Sequence, residues 1–155
     1  MAGNFGCVEL IVKMSLNDDT AAKEAVNHSI PGGYTPLHLV CRSPPRNACD
    51  AERMVDLLIS KDARIDAQDA LHKDTPLATA LRTGNFSLAN YVAGLLVELV
   101  KVTSSGGFTT SHREAAFSAL HDKNKDRLNV VEFAAKVGAA EVVRLLAPIL
   151  DATEQ

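Results

Sequence analysis

The sequence predicts an all-α chain of about four stacked helix–turn–helix units, and two observations carry that prediction. The first is near-repetition. Gly33-Tyr34-Thr35-Pro36-Leu37-His38-Leu39 returns as Lys73-Asp74-Thr75-Pro76-Leu77-Ala78, and in weaker letters as Asn129-Val130-Val131-Glu132-Phe133-Ala134-Ala135. Recurrence at intervals of tens of residues marks architectures in which each unit buries its apolar face on the next. The second is composition: 46% of residues are hydrophobic, only 5% are aromatic and there is no Trp. A Leu/Ala/Val-rich chain of this kind suits packed helices better than an aromatic sandwich core.

The elements follow in order. Residues 8–14 and 20–28 read as a degenerate starting pair of helices joined by 15–19, as expected of a terminal unit with one face in water. Thr35 and Thr75 are cap residues, because a threonine hydroxyl accepts a free N–H of the first turn. Pro36 and Pro76 then sit at the first helical position, where a missing N–H is harmless. Asn129 can cap the last inner helix in the same way. Gly84 and Gly138 fall nine residues after Thr75 and Asn129, where a helix end favours a left-handed residue. Residues 41–50, with Pro44-Pro45 at their centre, read as an inserted loop before an outer helix over 54–59. A longer outer helix is expected to reach Lys101, followed by a Ser104-Ser105-Gly106-Gly107 loop. An extra helix then opens on a Ser111/Glu114 capping box and runs through Leu120. The last outer helix contains Glu141-Val142-Val143-Arg144-Leu145-Leu146, and Leu57, Leu58, Leu145 and Leu146 are expected in the core.

Thr35-Pro36-Leu37-His38 and its repeats, together with the Asp62-Ala63-Arg64-Ile65-Asp66-Ala67-Gln68-Asp69 return loop, resemble the ankyrin repeat family. The ankyrin period is about 33 residues. Thr35 and Thr75 are 40 apart, which the proline loop accounts for, and Thr75 and Asn129 are 54 apart, which places an insertion at 102–121. The resemblance therefore implies a solenoid within a single domain, 1–155, with units at 4–30, 31–70, 71–101 and 122–150. It also implies a non-catalytic module that binds a partner protein through a concave face of hairpin tips and inner-helix ends, as a monomer and without a cofactor. Carried over position by position, the tips offer Tyr34, Leu71, His72, Asp74, Lys125, Asp126 and Leu128. The helix ends offer Arg42, Arg82 and Lys136, each seven residues after its cap, and the proline loop adds Arg46. These bases would form a stripe suited to an acidic segment of the partner, with Tyr34 and Leu71 as apolar anchors.

Other classes find less support. A formal charge of −3 provides no general attraction to nucleic acid. Met1-Ala2-Gly3-Asn4 lacks the basic start of a secretory signal, and the apolar run 91–100 is too short to cross a bilayer. A cytoplasmic or nuclear location is expected. Cys7, Cys41 and Cys49 have neither a closed pairing nor zinc-ligand spacing. His38 and Cys41 lie three apart on one helix face, but His38 is the histidine of the ankyrin motif, and a structural role is expected for it. The rival reading is a calcium-binding regulatory loop over 122–133, which resembles a degenerate EF-hand. Asp122, Asn124 and Asp126 stand at loop positions 1, 3 and 5, but Arg127 replaces the glycine at 6. Phe133 falls at position 12, with Glu132 one residue early, so no metal is expected there.

Overall fold

A computed structural model describes residues 24, 26–42, 48–61, 63–101 and 110–153, with the side chains of 48, 49, 110, 111 and 153 outside the described set. Among the described residues the chain is all-helical, apart from one isolated antiparallel bridge between Ile30 and Tyr34. Seven helices follow one another there: α1 Pro36–Arg42, α2 Ala48–Ser60, α3 Pro76–Arg82, α4 Phe86–Lys101, α5 Thr110–His121, α6 Val130–Val137 and α7 Ala140–Thr153.

The helices fall into two kinds. The short ones, α1, α3 and α6, have 7, 7 and 8 residues, and the longer α2, α4 and α7 have 13, 16 and 14. Each short helix packs on the longer helix that follows it. The short helices also pack in sequence, α1 on α3 and α3 on α6, and the long ones likewise, α2 on α4 and α4 on α7. Helix α5 lies against α4, α6 and α7, and His112 Nε2 donates to the Ile59 carbonyl at the end of α2 over 3.2 Å. The core runs through this double row from Leu37, Val40 and Leu58 through Leu77, Leu81 and Leu96 to Phe133 and Leu146. Each buried leucine contributes roughly 1.5–3 kcal/mol.

The start and stop chemistry is local. Thr75 Oγ1 accepts from Ala78 N, and Pro76 opens α3. Asn129 makes a full capping box with Glu132, each side chain accepting from the other's backbone N–H at 2.9 and 2.8 Å. Gly84 and Gly138 follow α3 and α6 at φ +78° and +82°, the left-handed geometry that glycine adopts without penalty.

Several expectations are corrected. Helix α1 includes Cys41 and Arg42, and α2 begins at Ala48, so the inserted loop is shorter than 41–50. Helix α5 begins at Thr110, which puts Ser111 inside its first turn and not at the cap; its side chain is outside the described residues. Leu58 and Leu146 are fully buried, but Leu57 and Leu145 are only half-buried, on the flank of the outer row. Of the expected N-terminal pair, only residues 24 and 26–28 are described. Residues 24, 26 and 27 are helical, and Val26 is fully buried. The loop 104–107 and the proline loop with Arg46 lie outside the described residues.

Candidate functional site: the hairpin tips and inner-helix ends

Three tight turns precede the three short helices, and backbone hydrogen bonds join them into one edge. Ala70 N donates to Gly32 O over 2.8 Å, and Lys125 N donates to His72 O over 2.8 Å. Gln68 Nε2 reaches both Lys73 O and Lys123 O, at 3.0 and 3.1 Å, and ties the second turn to the third. Within the turns, Asp69 Oδ1 accepts from His72 N and Lys73 N, and Asn124 Oδ1 accepts from Asp126 N and Leu128 N. Buried backbone polar groups at a turn require such partners, and these Asp and Asn side chains supply them. Gly33, Lys73 and Arg127 all lie two residues before their cap residues, and all are left-handed, at φ +78°, +54° and +63°.

Beneath the edge, His38 is fully buried and uses both ring nitrogens. Nδ1 accepts from Thr35 N at 3.2 Å, so the ring proton resides on Nε2, which donates to the Asp74 carbonyl over 2.9 Å. Burial lowers the pKa of His38, outweighing the hydrogen bond to Asp74 and the nearby Asp69 and Asp74 charges. The neutral ring therefore links the first unit to the second. The unfolded chain binds a proton at His38 near its ordinary pKa and the folded chain does so only lower. Stability should thus be fully present above about pH 6.5 and fall as the pH drops below it, by up to about 1.4 kcal/mol per unit. Thermal melts from about pH 7.5 to about pH 5.5 should show that decline, and His38→Gln should flatten it. The same geometry removes a His38–Cys41 catalytic pair, because both ring nitrogens are engaged and burial pushes the Cys41 thiol up to about 12.

Asp74 and Arg82, both expected to face a partner, form part of the internal frame. Asp74 is buried, at 1% exposure. Its carboxylate accepts from Arg82 Nε at 2.5 Å, from Arg82 Nη2 at 3.2 Å and from Asn124 Nδ2 at 3.3 Å. The Arg82 guanidinium also lies 3.5 Å from Asp126 Oδ2 and 4.8 Å from the centre of the Phe133 ring. Asp74 lies where the chain turns into α3, and the long Arg82 side chain folds back from the end of that helix to meet it. Asp126, although exposed, is turned onto the same arginine.

The other predicted residues keep their surfaces. Arg42 is exposed at the end of α1, with its guanidinium 5.2 Å from the Tyr34 ring centre, and Tyr34 is half-buried. Leu71 is 55% exposed at the second tip, His72 and Leu128 are half-buried, and Lys125 and Lys136 are exposed. Helix α5 lies towards the outer row and leaves Lys136 open at the far end of α6.

Three of the four oxygen-bearing side chains of the calcium-loop reading have other duties, and the fourth, Asp122, is exposed. Asn124 holds the turn, Asp126 faces Arg82 and Glu132 caps α6, while Arg127 stands in the turn itself. Millimolar calcium should leave the melting temperature unchanged, and a rise that Asp122→Ala removes would restore the calcium reading.

The comparison with protein families bears on one stretch of the chain. A family model, the ankyrin repeat, matches residues 32–70. Over those residues the chain is similar to an ankyrin repeat. The match spans the first tip, α1, the proline loop, α2 and the return loop. No curated protein matches the chain. Ankyrin repeats generally serve as non-catalytic interaction modules, and the match supports that role at the level of class. The Asn129–Glu132 box and the Asp74–Arg82–Asp126 cluster were missed by sequence reasoning. Glu132, three residues after a cap, was a legible signal for the box. The cluster left no signal in the sequence, because it joins three separate turns and helices.

Proposed function

We propose that the protein is a non-catalytic binding module, built as a solenoid of about four ankyrin units, that holds a partner protein on its tips and inner-helix ends. The observation that carries this reading is the continuous edge made by the three bonded turns, with Leu71 exposed on it and α1, α3 and α6 packed in a row behind it. An exposed leucine on a rigid rim is the sort of apolar anchor that supplies affinity, while surrounding bases guide encounter and register. The contacting residues are Tyr34, Arg42, Leu71, His72, Lys125, Leu128 and Lys136, and Arg46 joins them on the sequence reading alone. Arg82 and Asp74 hold the surface in shape and do not touch the partner. The protein works as a monomer, in the cytoplasm or nucleus, without a membrane or nucleic acid.

The test is a quantitative capture from cell lysate with three folded baits. These are the native chain, Leu71→Asp, and Arg42→Glu combined with Lys136→Glu; Arg82 is left intact because the fold depends on it. A partner retained by the native chain and lost with Leu71→Asp supports the reading, and loss with the charge-reversed bait adds the basic helix ends to the interface. Equal retention by all three baits would move the interface off this face.

A further inference from the structure

The two later tips carry a charge pattern that the net acidity of the chain conceals. Lys73, Lys123, Lys125 and Arg127 are all exposed, and the turns that bear them are joined through Gln68 and the Lys125–His72 bond. Among the described residues none of the four side chains enters an ion pair. The neighbouring acids are mostly withdrawn: Asp69 and Asp74 are buried, and Asp126 is turned onto Arg82, which leaves Asp122 exposed beside Lys123. Lys73 and Arg127 also occupy the turn position that Gly33 fills in the first tip. A left-handed backbone costs a non-glycine residue roughly 1–2 kcal/mol, and two long cations stand there despite that cost. Leu71, 55% exposed, lies in the same pair of turns.

We infer that the second and third tips together dock an acidic peptide segment of the partner protein, with Leu71 as its apolar anchor and Lys73, Lys123, Lys125 and Arg127 as its charge partners. This rests on the binding-module reading above and assigns the partner's chemistry. Carboxylates spaced along an extended segment meet cations spaced along two adjoining turns, and an apolar side chain of the segment covers Leu71.

The experiment uses the full chain and a fluorescein-labelled peptide, Glu-Glu-Leu-Phe-Glu-Glu-Leu-Glu, read by fluorescence anisotropy. Saturable binding is expected, weakening several-fold between about 50 mM and about 200 mM salt. Combined Lys73→Gln, Lys123→Gln and Lys125→Gln should raise Kd at least about tenfold, while Arg53→Gln with Arg144→Gln, exposed on α2 and α7, should change it by less than about twofold. Leu71→Ala, a milder change, should weaken binding with its salt dependence retained. Unchanged binding by the lysine variant, with its circular dichroism and melting temperature intact, overturns the proposal. Displacement of the peptide by pyrophosphate or single-stranded DNA at lower concentration than by unlabelled peptide also overturns it, as a general anion site would. Should the peptide fail to bind while the captured partner still depends on Leu71, the acidic-segment proposal falls and the module reading stands. If Leu71 matters to neither, both fall.

Discussion

Arg82→Ala should destabilise the protein by about 3 kcal/mol, one of the largest losses expected from an exposed-face substitution. The effect comes less from the lost attraction than from what remains. Asp74 is buried at 1% exposure and accepts two of its three side-chain hydrogen bonds from Arg82. Without the guanidinium, a carboxylate stays buried with Asn124 as its remaining side-chain partner, and an uncompensated buried charge is costly. The stacking on Phe133 disappears as well. Because Arg82 is itself partly open to water, at 31% side-chain exposure, its attraction to Asp74 is screened, which keeps the expected loss below the extreme for a buried pair. Chemical denaturation checks the magnitude. A double variant, Arg82→Met with Asp74→Leu, should recover much of the loss by removing both charges. If Arg82→Ala alone proves neutral, Arg82 does not hold the frame.

Gly33→Ala should cost about 3 kcal/mol or more, a large effect for adding one methyl group. Gly33 is left-handed at φ +78°, which alone penalises an L side chain by roughly 1–2 kcal/mol. An added Cβ would also lie 2.7 Å from Ala70 N, whose N–H bonds the Gly32 carbonyl and joins the first tip to the second. Backbone cannot rotate away as a side chain can, so the two turns must separate. Gly138→Ala provides the contrast. Its φ is +82°, yet an added Cβ meets nothing within 4 Å, so only the conformational term applies. A loss at Gly33 no greater than that at Gly138 would mean that the tips are not rigidly joined.

Much of the architecture was legible because the repeat states it locally. A threonine, a proline and a glycine at fixed steps specify where α3 starts and stops, and the pairing of short and long helices follows. The extra helix was legible from spacing, since α4 ends at the expected Lys101 and α5 follows over Thr110–His121. What was not legible depends on distance in space. Asp74 and Arg82 look like surface residues in the sequence because their positions in the repeat are surface positions, and eight residues of separation do not announce a contact. Asn124 and Asp126, 50 residues or more from Asp74, complete the cluster only after the third turn stacks on the second. The basic stripe changed for the same reason. Its central member is taken up inside the fold, while cations at left-handed turn positions, outside the repeat's usual chemistry, form the exposed group.

The most direct test of the binding-module account is site-resolved photo-crosslinking of the full chain in cell lysate. A benzophenone amino acid is placed singly at Leu71 and Arg42 on the tip and inner-helix face, and at Arg53 and Arg144, which are exposed on the outer helices α2 and α7. The account predicts discrete, saturable protein adducts from the first two positions and none of the same mass from the second two. Adducts from Arg53 and Arg144, with Leu71 and Arg42 silent, would contradict it and place the working surface on the outer row.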